Sequence, residues 1–140
     1  MTLALSTAVI ADRLKALTRA IDGGGAAGVL NIYDGTRPAT AGAAVTTQIK
    51  LAALPFAYPL AGTISGATLP ILIGASQLAL KTGVAAWGRI VASDGTFVAD
   101  LDVGASGSGK EVELAAGSTP TTQLYEGGDV SASVASLIEA

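Results

Sequence analysis

The chain has 140 residues, one domain by length, and no cysteine or histidine, which excludes disulfides, thiolate chemistry, cysteine-ligated zinc and the commonest general base. Only 14% of residues are charged while 50% are hydrophobic, so part of the surface is expected to be covered by partners rather than by charge. The net charge of −3, with eight Lys and Arg scattered along the chain, lacks the clustered basic patch that nucleic acid requires, so no nucleic-acid partner is expected.

Residues Met1 to Ser6 form a short apolar lead-in. From Thr7 to Asp22, Ile10, Leu14, Leu17 and Ile21 recur at helical spacing, with Asp12, Arg13, Lys15 and Arg19 largely off that stripe. Ser6 or Thr7 can cap the start, and Gly23-Gly24-Gly25 supplies the left-handed conformation that ends a helix without strain. The stripe is expected to face the core. After it the period becomes two. Val29 to Tyr33 reads as a strand ending in Asp34-Gly35 turn chemistry, and Val45 to Leu51 alternates as a half-buried strand.

The stretch Leu51 to Leu80 carries no charge but is interrupted by Pro55, Pro59 and Pro70 and by several glycines, so no membrane-spanning helix is expected there; no signal peptide is read at the start. Within it, Phe56 and Tyr58 lie in a proline-stiffened loop and are candidate interface anchors, with core packing the equal alternative. Leu69 to Ile73 is a short strand candidate placed at an edge by Pro70. Val84–Ala92 and Thr96–Val103 form the strongest hairpin, joined by Ser93-Asp94-Gly95, with Phe97, Ala99, Leu101 and Val103 expected inward. Glu111–Leu114, Gln123–Tyr125 and Asp129–Ile138 complete the set. The reading is a mainly β single domain over 1–140: a helix at 7–22, then a β-sandwich or jelly roll of about seven or eight strands at 29–138.

Three patterns suggest chemistry and fall short. Gly104-Ala-Ser-Gly-Ser-Gly-Lys110 matches the start of a phosphate-binding loop, but Glu111 stands where the magnesium-ligating hydroxyl belongs and no helix follows, so a flexible hairpin loop is expected. Asp100-Leu-Asp102 resembles the opening of a calcium loop without its later ligands. Asp34, Asp94, Glu126 and Asp129 could pair for glycoside chemistry, yet each adjoins glycine, where turns place acids. Trp87 is expected on a sheet face. No cofactor, metal or catalytic residue is assigned, and an enzyme is not expected.

The segments Leu30-Asn-Ile-Tyr-Asp-Gly-Thr-Arg-Pro-Ala, Thr82-Gly-Val-Ala-Ala-Trp-Gly-Arg-Ile-Val, Ser93-Asp-Gly-Thr-Phe-Val and Glu126-Gly-Gly-Asp-Val resemble small structural proteins of tailed bacteriophages. Within that group the chain is similar to capsid cement (decoration) proteins, although Ala57 to Leu80 is more apolar than the polar loop the family carries there. The resemblance implies a virion protein on the capsid exterior, made in the host bacterial cytoplasm, that clamps the major capsid protein and self-associates as a homodimer or homotrimer. Leu3, Leu5, Phe56, Tyr58 and Leu60 are the residues expected to make such contacts. The alternatives are a neck, collar or tail component, or a soluble ligand-binding β-module.

Overall fold

The computed structural model describes residues 4–58, 60, 68–70, 77–105, 107–115 and 122–138. Helix α1 spans Thr7–Ile21; the Ser6 hydroxyl accepts the Val9 N–H at 3.3 Å and so caps its first turn. A 3-10 turn at Asp22–Gly24 follows and closes on Gly25 in the left-handed region at φ 81°. Leu14 and Ile21 of the expected stripe are buried, and Ile21 joins the main core cluster. The helix end lies so close to the turn at Ser93 that a Cβ on Gly24 would overlap the Ser93 side chain.

Ten strands follow among the described residues: β1 Val29–Tyr33, β2 Lys50–Pro55, β3 Thr68–Pro70, β4 Gln77–Leu78, β5 Gly83–Val84, β6 Trp87–Val91, β7 Phe97–Ala105, β8 Val112–Ala115, β9 Gln123–Leu124 and β10 Asp129–Ile138. The main sheet runs β2-β1-β6-β7-β8-β10-β3, with β4 also on β10, while β5 and β9 make a separate ribbon. The protein is therefore mainly β with one N-terminal helix, as expected. Leu80 N–H donates to Leu51 O at 2.7 Å, so the segment after β4 returns to β2 and the sheet curls almost to closure. Leu30, Ile32, Leu54, Ile90, Leu101, Val112 and Leu114 fill the inside. Full burial of each such side chain stabilises by about 1.5–3 kcal/mol. Among the described residues, no helix is long and apolar enough to cross a membrane.

Four local expectations need correction. Val45 to Ile49 is not strand; the ladder opposite β1 starts at Lys50. Asp34 is the cause: its carboxylate accepts the Ile49 N–H at 2.6 Å while its own N–H donates to Ile49 O at 3.1 Å, which closes residues 34–49 into a loop. In the hairpin, Ile90 pairs Ala99 and Val91 pairs Phe97, leaving Val98 as an extra residue in β7. That bulge turns Val98 toward the core and Phe97 to the opposite face. The first hairpin arm is also shorter than expected, because Val84 belongs to the β5–β9 ribbon. Finally, the glycine-rich segment does not join a hairpin. Strands β7 and β8, on either side of it, run parallel, with Val103 opposite Val112.

Candidate interaction surfaces

On β1, β6 and β7 the side chains turned away from the core form one row. Tyr33 stacks on Trp87 at 4.6 Å between ring centroids, and the Arg89 guanidinium lies 5.4 Å from the Trp87 ring and 5.2 Å from that of Phe97. Cross-strand register explains the row, since Tyr33 faces Trp87 and Arg89 faces Asp100. Arg89 grips Asp100 with two hydrogen bonds, Nε to Oδ1 at 2.7 Å and the second guanidinium nitrogen to Oδ2 at 3.0 Å. The hydrogen bond to Asp100, opposed by burial, raises the Arg89 pKa and keeps it charged.

Loop 34–49 lies across this row. Trp87 Nε1–H donates to Asp34 O at 3.0 Å, Gly42 N–H donates to Asp100 Oδ2 at 3.2 Å, and Arg37 approaches Asp102 at 3.4 Å. Between loop and sheet remains a cleft of about 340 Å³ lined by Arg37, Pro38, Ala39, Ala41 and Asp100. Asp100 and Asp102, the residues of the calcium-like pattern, each face an arginine, and no group of three or more potential metal ligands occurs among the described residues. Trp87 holds the sheet-face position expected of it.

The glycine-rich loop is ordered by its own strand. Glu113 on β8 is buried, and its carboxylate accepts Gly107 N–H at 2.9 Å and Gly109 N–H at 3.1 Å. Ser108 N–H goes to Ala105 O at 3.0 Å and Lys110 N–H to Ser108 Oγ at 3.4 Å. Amides that would face phosphate in a nucleotide site are spent on the chain itself. Glu113 was legible only as an alternating strand position; nothing local marks it as the partner of amides four and six residues earlier.

A third surface is apolar. Hydrogen bonds from Leu80 to Leu51, Gly127 to Ala79 and Glu126 to Thr82, together with the β5–β9 pairing, draw residues 49–51, 77–84 and 123–129 into one rim. Eight large hydrophobic side chains are exposed among the described residues, and five of them, Ile49, Leu78, Leu80, Val84 and Tyr125, lie there. In the sequence Ile49, Val84 and Tyr125 read as parts of three separate strands and Leu78 and Leu80 as the end of the uncharged stretch, so the rim could not be assembled from it.

The contact residues expected from sequence divide. Phe56 and Leu60 are each only 3% exposed and belong to the core cluster, so their assignment as surface anchors is corrected. Phe56 N–H donates to Gly28 O at 2.9 Å, and the Asp22 carboxylate accepts Leu60 N–H at 3.0 and 3.2 Å, which turns both side chains inward beneath the helix end. Tyr58, between them, is 52% exposed. Leu5 is half-buried and Leu3 lies outside the described residues. Comparison with protein-family models, curated proteins and solved structures finds no match to this chain.

Proposed function

We propose that the chain is a virion structural protein of the cement type, which binds and stabilises a phage capsid shell by bridging major capsid protein subunits. The observation that carries this reading is the gathering of exposed large apolar side chains on one rim of a chain that is only 14% charged. A solvated monomer keeps such groups scattered, whereas a surface covered by protein concentrates them. Tyr58 supplies a further exposed aromatic on a separate loop, and two contact regions on one small body suit a bridge between neighbouring subunits. A second copy of the chain would present both regions twice.

The deciding measurement is copy number, taken by quantitative mass spectrometry on purified particles of the source. Abundance near that of the shell subunit is expected. A dozen copies or fewer would move the protein to the neck or tail, and absence from the particle would end the virion reading.

A further inference from the structure

Residues 107–110 have the geometry of an anion cradle. Gly107 and Gly109 both take positive φ, 87° and 77°, so their N–H groups turn to one side and converge on a single carboxylate. The loop folds tightly back, with the Ser108 side chain and the Lys110 stem lying against Gly104 where a Cβ would stand. Glu113 is the one polar residue among the described residues that is buried as a whole, and it is placed on β8 between Val112 and Leu114 of the core cluster. A buried carboxylate persists only where donors compensate its lost hydration, and the Gly107 and Gly109 amides are donors to this one.

We infer that this loop is an oxyanion-binding nest whose resident ligand is the chain's own Glu113 carboxylate, and that it takes a small external carboxylate when that side chain is removed. The tethered carboxylate sits at a high effective concentration, so in the intact protein free anions do not displace it. The phosphate-loop-like spelling from Gly104 to Lys110 thus has a physical meaning different from nucleotide binding. It encodes an anion site that is filled from within.

Chemical rescue tests this. Glu113→Ala is expected to unfold at lower temperature than wild type, and sodium acetate should raise its midpoint saturably, by about 3 °C or more over sodium chloride of equal ionic strength. Wild type should respond to the two salts alike. Glu113→Gln keeps the volume filled and one acceptor oxygen in place, so it should fall between the two and show no acetate-specific rise. Equal responses of wild type and Glu113→Ala, no acetate-specific rise in Glu113→Ala, or a full rise in Glu113→Gln would each overturn the inference. If Glu113→Ala does not fold in chloride, refolding in acetate supports the nest and equal failure in both salts overturns it.

Discussion

Phe56 and Tyr58 are two positions apart and have opposite fates. Phe56 is enclosed by the core and Tyr58 looks outward, because the Phe56 amide is tied to Gly28 and the chain then passes over the helix end to Leu60. Phe56→Ala should therefore cost about 3–5 kcal/mol in denaturant unfolding, through lost burial and the cavity left behind. Tyr58→Ser should change stability by no more than about 0.5 kcal/mol, while lowering occupancy on particles in a sedimentation assay. Unchanged occupancy would remove Tyr58 from the contact surface. From sequence the two aromatics looked equivalent, since both sit between prolines in an uncharged stretch. Burial depended on a glycine carbonyl and an aspartate carboxylate distant in the chain.

Among the elements, the β6–β7 hairpin was the most legible, because Asp94-Gly95 fixes its turn locally. Gly95 takes φ 89°, Gly95 N–H donates to Ala92 O at 2.9 Å, and the Asp94 carboxylate accepts Thr96 N–H at 2.9 Å. That backbone hydrogen bond, helped by the Thr96 hydroxyl, holds the Asp94 pKa below its ordinary value. A carboxyl group with a depressed folded pKa stabilises above its unfolded pKa and loses that contribution as pH falls through the folded one. Wild type should therefore exceed Asp94→Ala in stability at neutral pH, and the gap should narrow as acid is added below the ordinary aspartate range. A gap independent of pH would show that the charge contributes nothing to the turn. Helix α1 was equally legible, since its cap, stripe and glycine stop are all local. The bulge at Val98 was not, because alternation along β7 is unbroken in the sequence and only pairing with Ile90 and Val91 exposes the extra residue. Nor was loop 34–49. Val45 to Leu51 alternates as a strand does, but side-chain capture by Asp34 and Gln48 satisfies the backbone before a ladder can form.

At the scale of the whole molecule the class was readable from period-two patterning, and the sheet order was not, since no local residue specifies that β7 and β8 run parallel. The sheet depends on β10, which pairs β8, β4 and β3 along its length. Removal of residues 129–138 should abolish cooperative thermal unfolding altogether rather than shift its midpoint, because β3 and β4 lose the strand they pair with and β8 loses one of its two neighbours; a sharp transition in that truncation would show that the remaining strands close without it. The same arrangement governs how the protein comes off the ribosome. Helix α1 and the hairpin can form as soon as they emerge, but β8 has an open edge until the residues of β10 have left the exit tunnel. A nascent chain is thus a sheet with sticky margins, and stalled or truncated translation products would pair with one another through them. Emergence of β10 is, for this topology, the condition for closing the edge of β8.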